Sequence, residues 1–218
     1  MVKTIQVPLI SSASQHTPLS TPNLSSELDK LDRTSLTNGW FDLYPYQPQV
    51  TFGIAYNNHE IYLKYYVQEE AIAAKFYNSN EPVYQDSCVE FFVAFDEDSY
   101  YNLEFNCLGA CLMEFGKSRA NRLRATEATI QKIKRYATVT RNLSSKGDAQ
   151  VYWELIVIIP TDVFWQHSIG SLKGIEVRAN FQKCGDNLPS PHFLTWNKID
   201  TPQPDFHQPA YFGSVKFS

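Results

Sequence analysis

Between residues 87 and 107 the chain alternates with a period of two. In SCVEFFVAF, Val89, Phe91, Val93 and Phe95 fall on one side and Cys88, Glu90, Phe92 and Ala94 on the other. The acidic turn Asp96-Glu97-Asp98 follows. YYNLEFNC then repeats the pattern, with Tyr101, Leu103, Phe105 and Cys107 on one side and Tyr100, Asn102, Glu104 and Asn106 on the other. Successive strand side chains point to opposite faces, so the pattern predicts two half-buried strands joined as a hairpin. Opposed residues in a ladder share a face, so odd positions pair with odd and even with even. With a connection of about five residues, Glu90 is expected opposite Asn106 and Phe92 opposite Glu104. One sheet face then carries a row of Glu90, Asn102, Glu104 and Asn106.

The same period recurs along the chain. Val50, Phe52, Ile54 and Tyr56 alternate, Asn57-Asn58 signals a turn, and Ile61, Leu63, Tyr65 and Val67 alternate again, which predicts a second hairpin. Strands are also expected at 1–10, at 110–115, near 192–196 and at 211–217. The nearly all-apolar VYWELIVII at 151–159 reads as a central strand buried on both faces, ended by Pro160, with Thr161 or Asp162 capping a short turn of helix. Basic residues at 128–141 read as a strand, or a strand plus loop. In IEVRANFQK at 175–183, Ile175, Val177, Ala179 and Phe181 face in, while Glu176, Arg178, Asn180 and Gln182 form a second polar row facing out.

Helical spacing is rare. Residues 11–20 are Ser/Thr/Pro-rich and irregular, and a brief helix is expected after them, with Thr21 as cap, Pro22 in its first turn, and Leu24, Leu28 and Leu31 on one face. The chain holds 13 Tyr, 14 Phe and 4 Trp, rings that suit strands better than helices. About ten short strands without βαβ alternation predict an all-β, antiparallel two-sheet β-sandwich, jelly-roll-like, with one or two short helices. The 218 residues suit a single domain, 1–218, with the strand, loop and helix of 1–34 packed on it.

Charge excludes some partners. The net charge of −4 gives no general attraction to nucleic acid. Residues 117–146 hold nine Lys/Arg against the single acid Glu127, which reads as a solvated face, with a phosphate or uronate contact as the alternative. No run of 18 apolar residues offers a membrane span, and MVKTIQVPLISS lacks an apolar leader core. A cytoplasmic protein is expected, or an extracytoplasmic one whose leader has been removed. Cys88, Cys107, Cys111 and Cys184 show no CxxC spacing, so buried free thiols are expected rather than structural zinc.

The chain has no GxSxG, HExxH, P-loop or dinucleotide fingerprint. His192 and His207 lie in the Pro-rich stretch 184–210, where either could be a ligand. The 96–98 turn could hold calcium, because hard cations take clustered carboxylates. Glu90 and Glu104 share a face, and glycoside hydrolysis uses two carboxyl groups about 5–9 Å apart. The same groups equally suit a binding site for sugar hydroxyls. Rows of Glu, Asn, Gln and Arg on a sheet face favour a polar ligand over plain solvent.

YQDSCVEFF at 84–92, YNLEFN at 101–106, ANFQKCGD at 179–186, FLTWNKI at 193–199 and FHQPAYFGSVKF at 206–217 resemble, in order and spacing, the family 9 carbohydrate-binding modules. The resemblance covers roughly 35–218 and is nearest to the single-domain bacterial members. It implies a non-catalytic β-sandwich that holds a sugar between two aromatic rings, often with calcium. It assigns Glu90 and Asn106 to sugar hydroxyls and Trp196 to one ring of the clamp. Where the family has a Trp just before Q-D-S, this chain has Val83 and Tyr84, and Cys88 is an extra residue in the motif. Glu104, Asn180 and Arg178 join the candidates from the polar rows, Asp86 suits a ligand shell or a strand-start cap, and Phe206 and Tyr211 are further platform rings. Trp196 could equally pack in the core. The enzyme alternative uses Glu90 and Glu104, and a third reading is an interaction sandwich that no longer binds sugar.

Overall fold

In the computed structural model, which describes residues 2–10, 21–143 and 149–218, the alternating segments form two packed sheets. The first seven strands are β1 Thr4–Val7, β2 Thr34–Ser35, β3 Asn38–Gly39, β4 Gln49–Tyr56, β5 Glu60–Glu69, β6 Cys88–Ala94 and β7 Tyr100–Asn106. The rest are β8 Cys111–Gly116, β9 Leu123–Arg124, β10 Lys134–Leu143, β11 Ala149–Pro160, β12 Glu176–Cys184, β13 Phe193–Thr195 and β14 Gly213–Phe217. The helices are α1 Thr21–Asp29 and α2 Glu127–Lys132. The larger sheet runs β1-β14-β12-β6-β7-β8-β9, with β13 joining β12 to β3. The smaller runs β10-β11-β5-β4-β2. Pairing is antiparallel except at one edge, where β1 runs parallel to β14. The irregular segment 11–20 and the end of the basic stretch, 144–146, lie outside the described residues.

The inward rows meet between the sheets. Phe52 of the smaller sheet stacks on Phe181 of the larger at 4.0 Å, and Phe91 stacks on Phe181 at 5.1 Å. The helix α1 covers the outer face of the smaller sheet, where Leu24 and Leu28 bury Ala55, Tyr62, Ile156 and Ile158. Double-sided burial of β11 therefore holds near Ile156 and Ile158, while Tyr152, on the same outer side, is exposed. Lys64, also under α1, is paired with Asp29 and Glu154, each at 2.8 Å.

Two expectations need correction. The Glu90 pairing differs by two residues: Glu90 lies opposite Glu104, Phe92 opposite Asn102, and Cys88 opposite Asn106. The connection takes residues 95–99, tightened by Asp96, whose carboxylate accepts from the amides of Asp98 and Ser99 and from the Ser99 hydroxyl. The segment 128–141 is not all strand. Thr126 accepts from the Thr129 amide as an N-cap, α2 follows with Ile130 buried, and β10 begins only at Lys134. The polar rows of the larger sheet, Glu176 excepted, are covered, in keeping with the expectation that they do not face plain solvent. Loops around 36–47, 70–86 and 196–212 fold over them, and a second apolar cluster including Trp40, Phe92, Tyr100, Leu112, Phe206 and Phe212 seals most of that face.

Candidate functional site

The covering is incomplete. Over β6, β7, β8 and β12 a cavity of about 700 Å³ remains, of the size that small-ligand sites occupy. Its floor comes from even-numbered strand positions, Glu90, Glu104, Leu112, Glu114 and Cys184, which point to one face because strand side chains alternate. The loops supply the walls. Pro82 and Tyr84 come from the 70–86 loop, and Tyr44, Phe193 and Phe206 form a ring-lined side. Those three rings are linked in series, Tyr44 to Phe193 at 4.8 Å and Phe193 to Phe206 at 6.2 Å, both edge to face. Arg119, Arg124 and Asp186 complete the rim.

The floor is chemically unusual. Glu90 and Glu104 are directly opposed and only 2% and 4% exposed. Burial pushes the Glu90 carboxyl well up from its ordinary range, and the neighbouring Glu104 pushes it further. Burial also raises Glu104, to about 7, against the opposing hydrogen bond from Asn102. Asp186 is raised by burial as well. Oε1 of Glu104 accepts from Asn102 at 2.9 Å, while its buried Oε2 has no partner among the described residues. Near neutral pH the floor therefore offers both carboxyl O–H donors and carboxylate acceptors.

Most of the basic stretch, Arg119 and Arg124 included, is exposed as expected, and Arg122 is the exception among 119–124. Arg122 is held under the rim, donating to Asn102 Oδ1, Ser118 O and Tyr100 O, with its guanidinium over the Tyr100 ring at 4.2 Å. Arg124 pairs with Glu114 at 3.2 Å. His207 meets the Tyr100 hydroxyl at 2.9 Å, and burial lowers its pKa to about 3, so the ring stays neutral.

Of the seven residues expected at a site, Tyr84, Glu90 and Glu104 line the cavity. The other four are placed elsewhere. Trp196 lies in the main core, edge-on to Phe181 at 5.6 Å and against Gly213, where no side chain would fit beside its ring. Asn106 is spent within the fold, donating to Phe76 O and the Asp86 carboxylate and accepting from the amides of Leu108 and Ala110. Asn180 exchanges hydrogen bonds with the backbone of Asn197, tying down the last loop. Arg178 binds the carbonyls of Asp96, Glu97 and Pro209. Asp86 holds the amides of Lys75 and Phe76. Tyr44, Phe193, Arg119, Arg124, Glu114 and Asp186 were not legible as site residues. For the arginines the one signal is the basic run itself.

In the 96–98 turn Asp96 accepts from the Asp98 and Ser99 amides and the Ser99 hydroxyl, and its Oδ2 lies 2.9 Å from His167 Nε2. His192 is sealed beneath the loops against Lys183 at 2.6 Å.

Among solved structures, a candidate carbohydrate-binding protein of Bacteroides uniformis is 36% identical, with all of both chains covered and a TM-score of 0.88. A family 9 module of Caldicellulosiruptor kristjanssonii in complex with glucose is 14% identical, covering 99% of this chain and 96% of that one, with a TM-score of 0.58. The same organism's module with cellotriose is 13% identical, covering 99% and 93%, at 0.60. At those identities the two modules bear on the fold alone. No curated protein matches. The family model for carbohydrate-binding family 9 matches residues 22–217, and the chain belongs to that family.

Proposed function

We propose that the cavity binds a saccharide without transforming it, with Glu90 and Glu104 on its hydroxyls and the Tyr44, Tyr84, Phe193 and Phe206 rings against its carbon skeleton. The observation that carries this reading is the opposed carboxyl pair beneath a ring-lined cavity of about 700 Å³. A protonated carboxyl donates one hydrogen bond and accepts others, which matches a hydroxyl that does the same. The open Oε2 of Glu104 needs such a partner. Rings supply apolar faces for sugar C–H groups. Glucose and cellotriose, the ligands of the Caldicellulosiruptor modules, are the first compounds to try.

Calorimetry against a panel of mono- and oligosaccharides tests the proposal. Saturable binding is expected, weakened at least about tenfold, or about 1.4 kcal/mol, by Glu104→Leu. A panel without a binder, or binding indifferent to Glu104→Leu in a folded variant, overturns it.

The same pair supports hydrolysis as a second reading, since directly opposed strand positions hold Cβ atoms about 4.5–5.5 Å apart. One feature favours binding. Hydrolysis places its carboxyl groups on either side of the glycosidic bond, whereas these stand side by side on one floor. Turnover of aryl glycosides that disappears in Glu104→Gln would reverse the preference.

A further inference from the structure

We propose that Cys88, Cys184 and Glu90 form a binding site for a thiophilic divalent cation of the zinc class, opening into the cavity. The proposal does not depend on which saccharide the cavity takes, or on its taking one.

Cys88 and Cys184 are directly opposed across β6 and β12. Both are unbonded and buried. Glu90 follows Cys88 by two positions, on the same face, and its Oε1 is 3.1 Å from the Cys184 sulfur. One donor atom from each of the three residues lies within 4.8 Å of the other two. A tetrahedral zinc ion, with bonds of about 2.3 Å to sulfur and 2.0–2.2 Å to oxygen, sets its ligands roughly 3.5–3.8 Å apart. The three donors, all within 4.8 Å of one another, stand close to that spacing. The sequence hides the site because neither cysteine has a CxxC neighbour. The register of β6 on β12 brings together residues 96 positions apart.

Cys184 and Glu90 line the cavity. Three protein ligands would leave the fourth position facing the open volume, where water or a sugar hydroxyl could enter. Sulfur donors select zinc, cadmium and cobalt over calcium and magnesium.

Charge supports the same occupant. Glu90, Glu104 and Asp186 crowd one end of the cavity, each raised by burial and by neighbouring acids or held there despite nearby cations. A dication relieves that crowding. Burial pushes the Cys88 thiol up to about 12 and the Cys184 thiol well above its ordinary range, so both are protonated before metal arrives. On binding, each S–H bond ionises and an S–metal bond replaces it. The two protons pass to the buffer, with any proton on Glu90, and nothing is oxidised.

The test uses the full chain, reduced and stripped of metal, titrated with cobalt(II) and then with zinc. One equivalent of cobalt is expected to give a thiolate-to-cobalt charge-transfer band, with release of at least two protons, and zinc should displace it. Cys88→Ser and Cys184→Ser should abolish the band, and Glu90→Gln should weaken binding at least about tenfold. Cys107→Ser and Cys111→Ser should bind as the parent does, since their thiols lie on the core side of the sheet. Cadmium NMR of the unmodified protein, reporting two sulfur ligands, covers the case in which a serine variant fails to fold. Absence of stoichiometric binding overturns the proposal. So do binding that survives Cys184→Ser, a cadmium resonance without sulfur ligands, and a parent protein that cannot bind metal because Cys88 and Cys184 have closed a disulfide.

Discussion

Lys183 of β12 reaches Glu69 of β5 across the interior, nitrogen to oxygen at 2.9 Å, with both side chains fully shielded from solvent. Oε1 of Glu69 accepts from the Trp153 indole at 2.7 Å. The Lys183 ammonium also contacts His192 Nε2 at 2.6 Å, and the other ring nitrogen of His192 lies 2.9 Å from the Ser190 carbonyl. Burial, with the Lys183 charge, lowers the His192 pKa to about 3, so the neutral ring accepts from lysine and donates to serine. The two sheets are thus pinned by a charge pair at the end where the late loop attaches.

Breaking one side of that pin leaves the other charge buried alone. Glu69→Gln is expected to lower unfolding free energy by about 3–5 kcal/mol, and Glu69→Leu with Lys183→Met by less than the sum of the singles. Urea unfolding of the parent, Glu69→Gln, the two singles Glu69→Leu and Lys183→Met, and their double measures both quantities.

Placement of the rings separates stability from binding. Trp196→Ala removes a core ring and should cost about 3–5 kcal/mol, while the folded fraction keeps its affinity for the saccharide. Phe206→Ala, on the cavity wall, should weaken affinity by at least 1 kcal/mol, roughly fivefold or more. Calorimetry beside thermal melts distinguishes the two patterns.

Glu104 links stability to pH. Its folded pKa of about 7 lies above the ordinary 4.5, so between those values the folded chain holds more proton than the unfolded one. Unfolding free energy should therefore fall as pH rises through that window, and this contribution should level off above it, with a slope of at most about 1.4 kcal/mol per pH unit. Glu90, displaced in the same direction by burial and by Glu104, adds a contribution of the same sign. Glu104→Gln should flatten the slope in chelator-treated protein. Denaturant melts from about pH 5 to pH 8 give the comparison.

Period-two alternation sufficed for the sheets, because each strand needs one apolar row and the rows are plain in the sequence. Glu90 and Glu104 were visible as a pair on one face for the same reason. Their direct opposition was not, because it depends on how many residues the 95–99 turn consumes, which Asp96 decides through contacts no period reveals. Trp196 stands just past the short β13, in a stretch without alternation, so only the packing of Gly213 against its ring tells core from clamp. Arg119 and Arg122 precede, and Arg124 ends, a two-residue strand too short to carry a face assignment. The α2 helix, six residues long, fell below the length at which helical spacing stands out from a neighbouring strand.

The pairing of Asn180 with Asn197 fastens the last loop to the sheet at a point away from the cavity. The Trp40 indole holds the same loop at Thr201. Between those anchors and β14, residues 203–207 shape one wall and carry none of the floor. Wall and floor are thus separate parts. That separation makes 203–207 a replaceable cassette: grafted or randomised sequences there could re-tailor ligand preference while the acidic strands and their fasteners stay as they are.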